Sequence, residues 1–140
     1  MRFRDEYYFL SNKYPCKVKF RDYEFKCAES AYQAYKNEAF AFRFVNFDGD
    51  RSKQESKLVE LPFDWNNKKI KLMKEVVYSK FSQNEELKQK LINMDIDIVE
   101  DNNWHDNFWG NCNCDKCKNI VHLNYLGKIL MDVREILKNE

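Results

Sequence analysis

Glu29, Tyr32, Gln33 and Lys36 fall at i, i+3, i+4 and i+7 of one alanine-rich segment, so a helix there carries all four on a single face. An apolar face would be ordinary packing. A face of acid, phenol, amide and amine either meets solvent or lines a pocket, and the spacing leaves both open. Farther on, Glu100 to Gly110 holds two tryptophans, two aspartates, three asparagines, a histidine and a glutamate in a run that fits no helix or strand period. Irregular segments of that kind carry function more often than stability. Bases stack on the faces of tryptophans such as Trp104 and Trp109, and a neighbouring carboxylate such as Asp106 can move protons. The competing reading is a surface loop whose tryptophans plug gaps in the core.

Cys112, Cys114 and Cys117 follow at once. Three thiolates so close can bind zinc, with His105 or His122 as the fourth ligand. The match is partial, because there is one Cys-x-x-Cys and no second pair. The alternative is a tight, reduced turn.

The elements that must position these groups are legible from patterning. Val18–Phe20 and Tyr23–Phe25 flank Arg21-Asp22 as a short hairpin. The helix with the polar face spans 27–36, an aromatic helical segment covers 38–47, and Asp48-Gly49-Asp50 breaks it. A short helix is expected over 52–58. Asp64 can cap a helix from about Trp65 to Phe81, where Ile70, Met73 and Val77 form an apolar row widened by Leu72 and Val76. Ser82 to Glu85 reads as a capping box opening a helix that turns Leu87 and Leu91 inward. Ile96–Val99 reads as a short strand delivering Glu100 into the loop. The last helix, 123–137, buries Leu123, Leu126, Leu130, Val133 and Leu137.

At 140 residues the chain is expected to be one domain, residues 1–140, with a core of its own. Net charge is +1, which argues against bulk electrostatic binding to duplex nucleic acid but leaves room for a local phosphate pocket. Three glycines and two prolines leave few free turns, so a helix-rich chain is expected. No apolar run is long enough to span a bilayer, and the first residues lack the apolar centre of a signal peptide. The expected compartment is the cytoplasm, where the five cysteines stay reduced.

Several pieces then resemble one family in the right order. They are Tyr8-Phe9-Leu10-Ser11-Asn12 before Pro15, Ala28-Glu29-Ser30-Ala31-Tyr32-Gln33-Ala34 with Lys36, and Asp64-Trp65 through Met73 to Lys80-Phe81, Gln83-Asn84 and Leu87. Trp104, Asp106, Trp109-Gly110 and then Asn124, Leu126-Gly127, Ile129-Leu130-Met131 and Val133-Arg134 complete the set. Together, over nearly the whole chain, they resemble the NADAR, or YbiA-like, family. Ser30 stands where the family usually has a histidine that could orient Glu29, His122 where it often has glycine, and Tyr14 where it has phenylalanine. The cysteine segment is similar to that of one branch that does not regularly supply a histidine, which weighs against zinc.

The resemblance implies a compact, mostly helical α+β domain that hydrolyses an N-glycosidic bond between ribose and an amine, without metal or organic cofactor. Two substrates are implied: ADP-ribosylated guanine in single-stranded nucleic acid, and ribosylamino-pyrimidines of riboflavin metabolism. The first would pair the protein with a guanine ADP-ribosyltransferase toxin. A pyrophosphate-binding patch would favour the first and a closed monophosphate pocket the second. A non-catalytic ADP-ribose-binding module and a zinc-ribbon interaction protein are the readings from other classes. Lys36 is the candidate Schiff-base amine, Glu29 the proton shuttle and Asp106 the second carboxylate; a direct oxocarbenium route needs only the two acids. Phe9, Ser11, Asn12, Tyr32, Asn103, Trp104, Trp109 and Gly110 are the candidate substrate-binding residues. Trp65 reads as packing at a helix start, and Lys57 and Arg51 as surface cations able to meet a phosphate.

Overall fold

Arg21 takes a left-handed φ of 54° and reverses the chain between β1 (Val18–Phe20) and β2 (Tyr23–Phe25), which pair antiparallel with Val18 opposite Phe25. The computed structural model describes every residue from Met1 to Glu140. After the hairpin come α1 (Ala28–Ala34), α2 (Gly49–Glu55), α3 (Trp65–Gln83) and α4 (Glu85–Ile92). Two-residue strands β3 (Asp101–Asn102) and β4 (Asn111–Cys112) then pair in parallel around the loop between them, and α5 (Tyr125–Lys138) closes the chain. Short 3-10 segments occupy Asp5–Leu10, Glu38–Phe44, Ser56–Leu58 and Asp115–Cys117. The fold is a mostly helical α+β domain with two small sheets. No helix is long and apolar enough to cross a membrane.

One apolar cluster joins the N-terminal turn, the hairpin and four of the helices. Helix α3 is central: Leu72, Met73, Val76, Val77 and Phe81 are buried on it, against α5 and β1. On α5, Leu126, Ile129, Leu130, Val133 and Leu137 are buried, each side chain worth roughly 1.5–3 kcal/mol of transfer from water. Lys80 is also fully buried within this layer. Its ammonium donates to the carbonyls of Phe9 (2.7 Å) and Ser11 (2.8 Å), so the longest helix pins the N-terminal turn. Burial pulls its pKa down to about 8.

Several local expectations are corrected. Helix α3 runs on through Gln83, and Ser82 Oγ bonds back to Ser79, so no capping box forms; Asn84 precedes α4 without a side-chain cap. The backbone has no strand at 96–99; pairing begins only at Asp101. Leu123 lies ahead of α5, where its amide bonds Asn107 in the tryptophan loop. Asp64 stands at the start of α3 but makes an ion pair with Lys68 at 3.0 Å instead of a cap. The aromatic segment does break at 47–48, but the next helix starts earlier than 52: the Asp48 carboxylate accepts from the Arg51 amide at 2.8 Å, so α2 begins at Gly49.

Candidate active site

The polar face of α1 lines a pocket of about 690 Å³. Glu29, Tyr32 and Gln33 are buried in its wall, which settles their face as interior. The helix ends at Ala34; Lys36 lies two residues beyond, yet its amine still lines the same pocket. It sits over the rings of Tyr32 (5.5 Å) and Trp65 (5.7 Å), where a cation meets the negative ring face. Burial lowers the pKa of Lys36 from the usual lysine value; Glu29 opposes that shift, and the neighbouring cations Lys53 and Lys69 add to it.

Glu29 is oriented from its own helix. Gln33 Nε2 donates to Glu29 Oε1 at 2.8 Å, one turn apart. That bond fixes the amide's orientation, because the flipped amide would set two acceptors against each other. It leaves Gln33 Oε1 buried with no partner. Ser30, on the other side, bonds the carbonyl of Phe47 (2.7 Å) and Ser52 (2.8 Å) and packs α1 onto α2. Its place is structural, and the orienting task expected of a histidine there falls to Gln33.

A second wall comes from the N-terminal loop. Ser11 and Asn12 line the pocket, and the Asn12 carbonyl accepts the Glu29 amide at 2.8 Å, joining this wall to α1. The Asn12 amide reaches Met73 Sδ at 3.3 Å. Phe9 points elsewhere: it is buried in the core, edge-on to Phe81, and does not line the pocket.

The third wall is the loop between β3 and β4. Asn102, fully buried, holds it together. Its amide donates to Glu100 (2.9 Å) and to the Asp106 carbonyl (2.8 Å), while its carbonyl oxygen accepts the amides of Trp104 and Asp106, both at 3.3 Å. Asp106 Oδ1 accepts the amides of Phe108 (3.1 Å) and Trp109 (2.9 Å), leaving Oδ2 without a protein partner. Asp106, Trp104 and Trp109 line the pocket; Trp109 meets Tyr32 edge-on at 5.8 Å, and Trp104 is half exposed. Asn103 is exposed and lies outside the pocket; the organising amide is its neighbour. Gly110 does not line the pocket either. A Cβ there would collide with the carboxylate and carbonyl of Glu100, so glycine is needed for close approach.

Glu100 is a lining residue that patterning alone did not single out. Its amide bonds Asn124, which has a left-handed φ of 48° at the start of α5. Burial pushes its carboxyl up to about 7; Asp106 and Asp101 add to the rise, and the Asn102 bond opposes it. The cations of the pocket were also dispersed in the sequence: Arg2, Arg4, Lys53 and Lys69 line it and have no carboxylate partner, whereas Lys13 is paired with Asp50 at 2.6 Å. Trp65 both packs against the core and lines the pocket. Arg51, engaged by Glu55, and Lys57 lie outside.

At the far end of the loop, His105 and the three clustered cysteines bring their ligand atoms within 4.8 Å of one another. His122 is elsewhere, 2.6 Å from Asn107 Oδ1. All five cysteines are free thiols.

The fold is thus a mostly helical α+β domain whose first full helix, N-terminal loop and tryptophan loop converge on one acid-and-amine pocket. The chain belongs to the NADAR family: the NADAR domain matches residues 2–138. It is 35% identical over 80 residues to N-glycosidase Npun_R5314 of Nostoc punctiforme. That match covers 57% of this chain and 48% of that protein, so the chain aligns with about half the relative's length. The fold is similar to that of Escherichia coli YbiA, solved by NMR, with a TM-score of 0.82 over 99% of this chain and 83% of that one, at 23% identity.

Proposed function

We propose that the protein is an N-glycosidase that releases ADP-ribose from guanine in single-stranded nucleic acid. The observation that carries this reading is the company kept by Lys36. A desolvated amine, two carboxylates with unbonded oxygens and a set of unpaired cations share one pocket. Arg2, Arg4, Lys53 and Lys69 suit a pyrophosphate better than a closed monophosphate site would. Trp104, half exposed at the rim, suits a stacked base. That the Nostoc relative is an N-glycosidase supports the reaction class.

In the proposed route the lone pair of the guanine amine opens the furanose, leaving C1″ as an imine and a proton on the ring oxygen. The neutral Lys36 amine adds to C1″, and the guanine nitrogen departs with a proton from Glu29. Lys36 supplies the other proton on the departing nitrogen, which leaves a protonated Schiff base; water then adds to it, the Lys36–C1″ bond breaks, the proton set free returns to Glu29, and the sugar recloses. One water is consumed per ADP-ribose released. Asp106 steadies the developing charge, and Glu100, part-protonated near neutrality, is a second proton donor on the same wall.

The test is turnover of a guanine-ADP-ribosylated single-stranded oligonucleotide, with Glu29→Gln and Lys36→Ala beside the parent. Free ADP-ribose from the parent, lost in both variants, is the expected result. Absence of release by the parent sinks this substrate. Cleavage of ribosylamino-pyrimidine phosphates instead would keep the pocket and change the substrate. Tight ADP-ribose binding without cleavage of either would make the protein a binding module.

A further inference from the structure

We infer that His105, Cys112, Cys114 and Cys117 form a structural zinc site that fastens the loop carrying Trp104 and Asp106. The inference stands apart from the chemistry of the pocket. His105 Nδ1 lies 3.4 Å from Cys117 Sγ, 3.4 Å from Cys114 Sγ and 3.9 Å from Cys112 Sγ. Zinc bonds of about 2.3 Å to sulfur and about 2.0 Å to imidazole nitrogen, set tetrahedrally, place ligand atoms about 3.5–3.8 Å apart. The three nitrogen–sulfur separations bracket that spacing, and all four ligand atoms lie within 4.8 Å of one another, so closing them on one ion takes only small side-chain movements. Hydrogen bonding among three thiols and one imidazole does not need all four atoms to converge on a common centre.

The backbone is shaped to the same end. His105 adopts a left-handed φ of 68°, rare for a residue with a side chain, on a loop otherwise tied down by Asn102 and Asp106. Cys112 sits in β4, its amide held by Asn107 at 2.8 Å. Cys114 and Cys117 bracket the Asp115–Cys117 turn, with the Cys117 amide bonding the Cys114 carbonyl at 3.1 Å. The ligands therefore come from three consecutive local structures with no core of their own between them. Three thiolates and one neutral imidazole are a closed structural set for zinc, with no open position for substrate or water. Binding displaces the three thiol protons and leaves every sulfur metal-bound. The consequence for the pocket is mechanical. Trp104 and Asp106 flank His105 in the chain, so fastening His105 fixes the third wall.

The test is elemental analysis of the reduced protein after purification with zinc, followed by cobalt exchange. The expected results are about one zinc per chain and, with cobalt, the intense thiolate charge-transfer and tetrahedral d–d absorption of sulfur-rich sites. Cys114→Ser and His105→Ala each weaken binding by more than about 10-fold, while Cys16→Ser, outside the cluster, retains the metal. Chelation changes tryptophan fluorescence and lowers the melting temperature, and zinc restores both. Two outcomes overturn the site: substoichiometric metal with no cobalt charge-transfer band in the parent, or thiol mapping that finds two of the three cysteines joined as a disulfide. Neither depends on whether the pocket turns over a substrate or on whether a variant folds.

Discussion

Gln33 holds Glu29 by a 2.8 Å hydrogen bond and in doing so leaves its own carbonyl oxygen buried and unpaired in the pocket wall. A buried acceptor without a partner costs roughly 1–3 kcal/mol, so Glu29 is oriented at the expense of stability.

Replacing Gln33 by methionine, close in volume, separates the two roles. The orphan acceptor disappears, so the melting temperature should hold or rise. Glu29 loses its orienting donor, so kcat/KM should fall roughly 10- to 100-fold. Differential scanning fluorimetry beside steady-state kinetics reads both; activity within a factor of about two of the parent would remove Gln33 from the site.

Lys36 makes a second prediction. Because burial and the cations Lys53 and Lys69 lower its pKa, the neutral amine is populated at a lower pH than on an ordinary surface lysine. Borohydride added during turnover should trap a sugar adduct on the parent, and trapping should accelerate as pH rises through that lowered pKa. Lys36→Arg should show no adduct. Lys69→Ala removes one neighbouring charge and should move the trapping profile to higher pH. An active Lys36→Arg protein with no adduct in the parent would leave the direct oxocarbenium route standing.

The legible part of this site was what has a period. The face of α1 could be read because four polar residues recur at helical spacing, although whether it met water or a pocket depended on Trp65, Asn12 and the tryptophan loop, which arrive from elsewhere in the chain. The loop has no period, so nothing in the sequence told Asn102 from Asn103, and burial alone separates them. β3 and β4 pair over two residues each, too short to leave an alternating signature. The three cysteines were visible, but the choice between His105 and His122 required the turn at His105. Arg2, Arg4, Lys53 and Lys69 could not be grouped in advance, because their convergence is purely tertiary.

Gly110 tests how tightly the loop is built. A methyl group there would overlap the Glu100 carboxylate and, less forgivingly, its backbone carbonyl. Gly110→Ala should therefore push β3 from β4 and cost roughly 2–4 kcal/mol, a fall in melting temperature of at least about 6 °C. A variant melting within about 2 °C of the parent would show that Glu100 can swing away at little cost.

Glu100 itself predicts a pH dependence whose sign follows from its surroundings. Burial, helped by Asp106 and Asp101, raises its carboxyl from an ordinary 4.5 to about 7 in the folded protein. Between those values the folded state holds a proton that the unfolded chain has released. The stability this contributes is fully present below about pH 4.5 and is lost as pH rises through about 7. Glu100→Gln keeps an acceptor for Asn102 and has nothing to titrate. Across that window the parent should lose stability relative to the variant by on the order of 3 kcal/mol, measured by denaturant unfolding at a series of pH values. The two curves should lie closest at the acid end and diverge toward neutrality. Parallel curves would mean that Glu100 is ionised throughout, and that Asn102, with the cations of the pocket, stabilises its charge more than burial penalises it.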